Sequence, residues 1–387
     1  MVPEPLAGLT AAAPACLTAD WVYPVGAPPI AAGAVLVDGG RIAAVGPRSE
    51  IPVPPGVPTV EYRGAALLPG LVNAHTHLEL TGLAGQVEHD PFSDWIRGVR
   101  ELKAARDAAW FAAAARQGVQ DAFAAGITMV LDTGDSGAVL PALVEAGGAG
   151  IVYQEVFGPH PDQCAESLAG LRARVATLSP LAAGRVRFGV SPHAPYTVSG
   201  PLYRATAALA HERRLPIAVH LAESPAETEL VTGHRGPFAD AWNGRGIPPI
   251  ANHGGSVADR RSPVAWLAAH GVLGPTTLGI HLVQVDAADI EILRTTGTGV
   301  AHCPLSNARH GHGSAPVAAL RAAGVGVGLG TDSVVSVGRL DLFAEMRAAV
   351  ALLGAGPEAG LELATTGGAA LAGVAADTGR LAPGFHA

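Results

Sequence analysis

AALLPGLVNAHTH, residues 65–77, decides the fold. Its apolar run, Ala66–Asn73, reads as a strand, and His75 and His77 follow it two residues apart, on one face. Seven further apolar runs repeat this arrangement: Ile127–Leu131, Gly150–Phe157, Val186–Ser191, Pro216–Val219, Thr277–Ile280, Thr298–Ala301 and Val325–Gly330. At or just past their ends stand Asp132, Glu155, His193, His220 with Glu223, His281, His302 and Asp332. Ala-rich, helix-like stretches fill most of the gaps. Alternating strand and helix units predict a parallel sheet, and eight of them predict a closed (β/α)8 barrel of the α/β class. The strand C-termini of such a barrel meet at one mouth, where active sites lie.

A barrel needs roughly 250 residues, and the chain has 387. The remainder predicts a small β-sandwich domain over 1–65, completed by 375–387, with the barrel over 66–374. Within the first segment, Gly33–Gly46 reads as a hairpin around Asp38-Gly39-Gly40. The segment 94–125 reads as helix capped by Gly126, and the long connection 224–276 as a lid candidate. The net charge of −8, without a basic run, speaks against a nucleic-acid partner. Three scattered cysteines, Cys16, Cys164 and Cys303, make no disulfide framework. No apolar run is long enough to cross a bilayer, and the first residues lack a signal-peptide pattern. The expectation is a cytoplasmic protein with a small-molecule substrate, no membrane partner, and a homodimer as the oligomer allowed for.

His75, His77, His220 and Asp332 end three independently read strands, and together they would hold one divalent ion with an open position for water. Of the fifteen histidines, His89, His160, His211, His234, His253, His270 and His386 fall away from strand ends and read as surface residues. His310 and His312 lie in a Gly-rich stretch and read either as pocket lining or, the favoured reading, as part of a surface loop. Glu155 and Asp132 are not counted as ligands, and Cys303 reads as a buried structural thiol.

The segments LPGLVNAHTHLEL (68–80), SPHAPYT (191–197), VHLAESPAE (219–227), GIHLVQVD (279–286), HCPLSN (302–307) and GTDSVVSVGRLDLFAEMR (330–347) run in one order over nearly the whole chain. Through them the chain resembles the amidohydrolase superfamily, in its metal-dependent deaminase and chlorohydrolase branch. HTHLEL, FSDWI (92–96) and HLAESPAE look most like the aminofutalosine and other adenosine-derivative deaminases. The resemblance implies one divalent ion, zinc first and iron second. It also implies hydrolytic removal of ammonia from an adenine nucleoside derivative, in which Glu223 moves protons to the ring nitrogen and the leaving group. Asp332 would accept the water's proton, and His281 would steady the developing charge. His193, Trp95 and His302 would contact the substrate. No carboxylate for ribose stands at the usual offset from Trp95, Glu101 being the nearest. Other chemistries on the same site are nucleobase deamination, dechlorination or cyclic-amide opening, and a barrel that kept the fold without catalysis is the further alternative.

Overall fold

The computed structural model describes residues 13–87, 91–254, 256 and 258–387. His89 lies outside them.

The chain begins with a four-stranded sheet of β1 (Ala15–Val22), β2 (Ile30–Asp38), β3 (Arg41–Pro47) and β4 (Thr59–Leu67), in the order β3-β2-β1-β4. The expected hairpin joins β2 to β3, with Asp38 opposite Arg41 and both Gly39 and Gly40 at positive φ, the conformation a tight two-residue turn requires. One face of this sheet buries Val22, Val35 and Ile42 against Leu381 and Phe385. The C-terminal segment is tied down by its backbone: Ile42 N–H donates to Phe385 O (2.9 Å) and Gly384 N–H to Ile42 O (2.8 Å).

Eight parallel strands follow in sequence order: β5 (Leu71–Thr76), β6 (Ile127–Gly134), β7 (Ala149–Val156), β8 (Arg185–Pro192), β9 (Ile217–Leu221), β10 (Thr277–His281), β11 (Gly299–His302) and β12 (Val327–Leu329). Each overlaps one of the eight apolar runs. Both faces of these strands are covered, by helices outside and by a packed interior that includes Val72, Leu131, Tyr153 and Ile280. That explains why they read as continuous apolar runs rather than alternating ones.

The seam between β12 and β5 closes the barrel. Thr331 and Asp332 both donate backbone N–H to His75 O at 3.0 Å, and Thr76 bridges Asp332. Asn73 accepts from Thr331 N–H (3.0 Å) and donates to Thr331 Oγ1 (2.8 Å). Gly330 permits the approach: a Cβ there would stand 2.7 Å from His75 N and 2.8 Å from His75 Cβ. The seam therefore sets two of the candidate ligands, His75 and Asp332, against each other.

The expected single helix over 94–125 is two, Phe92–Ala104 and Ala108–Ala124. Asp107 breaks it by capping the second helix, accepting from Trp110 N–H. The connection 224–276 carries helices Pro225–Gly233, Gly236–Asn243 and Pro263–Ala269, with single 3-10 turns at Ile250–His253 and Ala258–Arg260 between the last two. Among the described residues, no helix is long and apolar enough to cross a membrane.

Candidate metal and acid–base centre

The β5 end places His75 and His77 with their rings edge to face, 4.7 Å apart. His220, at the end of β9, stacks 5.3 Å from His77 and meets His75 at 4.9 Å. One ring nitrogen of each of the three lies within 4.8 Å of the others. Asp332 Oδ1 completes the group, 3.5 Å from His75 Nε2 and 3.5 Å from His77 Nε2.

Hydrogen bonds behind these groups aim them. His77 Nδ1 contacts Thr133 O at 2.8 Å and His220 Nδ1 contacts His193 O at 3.2 Å. A carbonyl can only accept, so each Nδ1 carries the proton and each Nε2 presents a lone pair. Asp332 Oδ2 accepts from Ser306 Oγ (2.6 Å) and Ser336 Oγ (2.9 Å), leaving Oδ1 for the histidines. Asp332 and His281 both sit at positive φ, strained backbone of the kind that collects at functional sites.

Burial holds the imidazoles neutral. It lowers His75 and His220 from the ordinary histidine value, and it drives His77 down to about 3, with the neighbouring His75 adding to the effect. For Asp332 burial acts the other way, but the close approach of His75 and the surrounding histidines outweighs it and holds the carboxyl well below the usual carboxylate range. His75 is wholly buried, yet neither of its ring nitrogens has a hydrogen-bond partner. Such an orphaned pair is costly unless something binds it. Three neutral imidazole nitrogens and a carboxylate oxygen fit a divalent ion of the zinc type.

Beside this group stands Glu223, three residues past His220. Its Oε1 lies 3.5 Å from His281 Nε2 and 3.4 Å from His312 Nε2, and its Oε2 accepts from the Tyr196 hydroxyl at 3.3 Å. Burial would raise this carboxyl, but the charge of His281 and the His312 contact prevail and hold it at about 2. His281 is itself oriented by Nδ1–H donation to Asn307 Oδ1 (2.9 Å). Glu227 fixes the loop that carries Glu223, accepting from the backbone N–H groups of Ala222 (2.7 Å) and Glu223 (3.1 Å).

His193, at the end of β8, is driven down to about 3 by burial and is held through Nδ1 to Thr197 Oγ1 at 2.8 Å. Its ring lies 4.7 Å from that of His220. A ligand atom of His193, one of His220 and a carboxylate oxygen of Glu155 also fall within 4.8 Å of one another. Burial pushes Glu155 up to about 8, against the opposing charge of Lys103. Trp95 is buried with Phe92 and reaches this region through His310, 4.6 Å from its ring. His302 is buried with neither ring nitrogen hydrogen-bonded, and burial lowers it to about 4. Glu101 is exposed and pairs with Arg97.

Four histidines expected at the surface need correction. His312 is not on the surface: it is buried against Phe92 (rings 4.5 Å apart) and faces Glu223. His310 leaves the surface with it, packed on Trp95. His253 and His270 are buried as well, each with one ring nitrogen on a carbonyl: Pro248 O at 3.0 Å from His253 and Trp266 O at 2.7 Å from His270. Sequence patterns do not single out Ser306 and Ser336, although both lie within the quoted motifs. Nor do they show a buried cluster in which Lys103 binds Glu79 (2.9 Å) and Asp135 (2.5 Å).

Barrels that gather imidazoles and an aspartate at one mouth in this way make up a class of metal-dependent hydrolases. The model of the Amidohydrolase family matches residues 66–387, and the chain belongs to that family. It is thus a hydrolase acting on C–N bonds other than peptide bonds. A model described as an imidazolonepropionase-like composite domain of bacteria matches residues 33–52. Among its relatives is the 5-methylthioadenosine/S-adenosylhomocysteine deaminase of Symbiobacterium thermophilum, 33% identical over 81% of this chain and 68% of that protein. The aminodeoxyfutalosine deaminase of Deinococcus radiodurans is 33% identical over 83% of this chain and 76% of its own length. The crystal structure of an adenosine deaminase from Xanthomonas campestris with bound zinc superposes with a TM-score of 0.79 at 25% identity, covering 97% of this chain and 83% of that one.

Proposed function

We propose that the chain hydrolyses the 6-amino group of an adenine nucleoside derivative, aminofutalosine or an adenosine thioether such as S-adenosylhomocysteine, and releases ammonia. The observation that carries this reading is Glu223: an ionised, buried carboxylate with His281 and His312 on one oxygen and Tyr196 on the other, adjoining the histidine–aspartate group. A carboxylate there can take a proton from the attacking water and pass it to a ring nitrogen next to the carbon under attack. Relatives named for adenosine-derivative deamination support the substrate class.

In this reading His75, His77, His220 and Asp332 hold one divalent ion, with zinc favoured by the donor set and by the zinc in the Xanthomonas relative. When bound, the ion supplies a water acidic enough to react near neutral pH. With the ion in place, Asp332 would take up one proton of the attacking water as the water's oxygen joins C6. Glu223 would take up the other proton of that water and pass it to N1 of the purine, and the proton held by Asp332 would reach the amino group by way of Glu223, so that ammonia departs and C6 keeps the oxygen. His281 orients the water and stabilises charge on its oxygen. His193 holds the base or sugar, with Trp95 and His302 lining the substrate's surroundings. The ring of Phe238, stacked 4.2 Å on Tyr196, brings the 224–276 connection to the same place, where it can cover a 5′ substituent.

The same reading divides the chain into a small unit of residues 1–65 with 375–387 and a barrel of residues 66–374. It also places the protein in the cytoplasm, acting on a small molecule, without a nucleic-acid or membrane partner and with a homodimer as the candidate assembly.

Glu223→Gln tests the proposal, because glutamine keeps the shape and cannot carry the proton. Metal content should match wild type while kcat falls by roughly 10²–10⁴-fold. Near-full ammonia release with intact metal would refute the role of Glu223.

A further inference from the structure

His312 has no place in the chemistry drawn from the sequence, yet it touches the group on which that chemistry turns. Its Nε2 lies 3.4 Å from Glu223 Oε1, an ion-pair separation not closed into a hydrogen bond. The backbone sets it there. Helix Pro304–Arg309 ends at a turn through Gly311, whose φ of 65° only glycine adopts at low cost, and His312 N–H then returns to Asn307 O at 2.9 Å. On the other side Gln284, from the loop after β10, donates to His312 O at 2.6 Å. Two strand-end loops thus clamp one residue, and its ring is pressed between Phe92 and Glu223.

A ring filling space against Phe92 would be better made of carbon. Burying an imidazole nitrogen without a partner is unfavourable, and the carboxylate it faces is the proton carrier. The other imidazole on Oε1 is constrained. His281 is fixed through Nδ1 by Asn307 Oδ1 at 2.9 Å, so its ring cannot turn to follow the carboxylate. His312 brings a second imidazole Nε2 to the same oxygen at 3.4 Å, while the Tyr196 hydroxyl serves Oε2.

We propose that His312 is a positioning residue for Glu223: its Nε2–H holds Oε1 in the ionised, substrate-facing state between proton transfers. The assignment rests on the deaminase reading. The charged and titratable groups acting on Glu223 are His281, His312 and Tyr196 in contact, with Asp332, Glu227, His75, His193, His310 and Cys303 in its electrostatic surroundings. His312 is one of the two imidazoles in contact, so its removal weakens the support for the carboxylate form.

The test uses the full metal-loaded chain with His312→Phe and His312→Gln. His312→Phe should keep the metal and the melting temperature within a few degrees, leave KM within about threefold, and lower kcat about 10- to 100-fold, the scale of a hydrogen bond to a charged group. The acidic limb of its kcat/KM profile should move to higher pH, because Glu223 would then take up its proton more readily. His312→Gln, which restores an N–H donor, should recover much of the loss. An unchanged kcat and profile in His312→Phe overturns the inference and leaves the deaminase reading standing. A rise in KM alone overturns it too, and makes His312 a substrate contact. Wild-type protein that releases no ammonia from any adenine nucleoside sinks the deaminase reading and this inference together.

Discussion

Acid should unfold the metal-free protein through His77, and by a calculable amount. Its side chain is 12% exposed, and burial with the neighbouring His75 drives it from 6.5 to about 3. The unfolded chain binds a proton on this residue below about pH 6.5, whereas the folded chain does not until about pH 3. Stability from this group is therefore complete above the unfolded value and drains away as pH falls through that window. At about 1.4 kcal/mol per pH unit, the span from 6.5 to about 3 corresponds to about 5 kcal/mol, of which about 2 kcal/mol is lost by about pH 5. That is a large fraction of the roughly 5–15 kcal/mol that holds a protein folded. The assay is urea unfolding of metal-stripped wild type and His77→Gln at about pH 7.5 and about pH 5. Wild type should lose at least about 2 kcal/mol more than the variant on acidification, since removing His77 also relieves His193 and His220. Equal losses in the two proteins would refute the claim that His77 is buried neutral.

Two further perturbations probe the parts around it. Ser306→Ala deletes the 2.6 Å bond to Asp332 Oδ2 and should weaken metal affinity about 10- to 100-fold with the fold intact, read by competition with a chelator; unchanged affinity would mean that Ser306 does not orient the aspartate. Gly330→Ala forces a Cβ to within 2.7–2.9 Å of His75 backbone and Cβ atoms, so the barrel seam must shift. The urea midpoint should drop by the equivalent of about 1–3 kcal/mol, and a midpoint equal to wild type would show that the seam is slack.

What the sequence discloses follows from local rules. Period-2 spacing puts His75 and His77 on one face, and the ends of apolar runs locate His193, His220, His281 and Asp332. These rules work because a parallel barrel brings every strand C-terminus to one mouth. The residues that escape them depend on contacts between elements. His312 sits in GHGSAP, a composition that reads as exposed loop, and Gln284, nearly thirty residues earlier, helps to clamp it inward. Lys103 meets Glu79 across two elements, and nothing periodic links them. His253 and His270 have no strand-end position, and each sets one ring nitrogen on a carbonyl of a nearby turn or helix. Asp107 is a different case, since a helix-breaking N-cap is a local signal; the Ala-rich composition on both sides hides it.

The exposed position of Glu101, paired with Arg97, leaves the ribose without a carboxylate from that helix, so the substrate class is where the account is most open to refutation. The most direct measurement is kcat/KM for ammonia release from aminofutalosine, S-adenosylhomocysteine, adenosine, guanine and cytosine with the zinc-loaded enzyme. The account predicts that a 5′-substituted adenine nucleoside exceeds either free base by about tenfold or more, about 1.4 kcal/mol of transition-state binding, the scale one or two sugar contacts supply. A free base that matches or exceeds the nucleosides would contradict it.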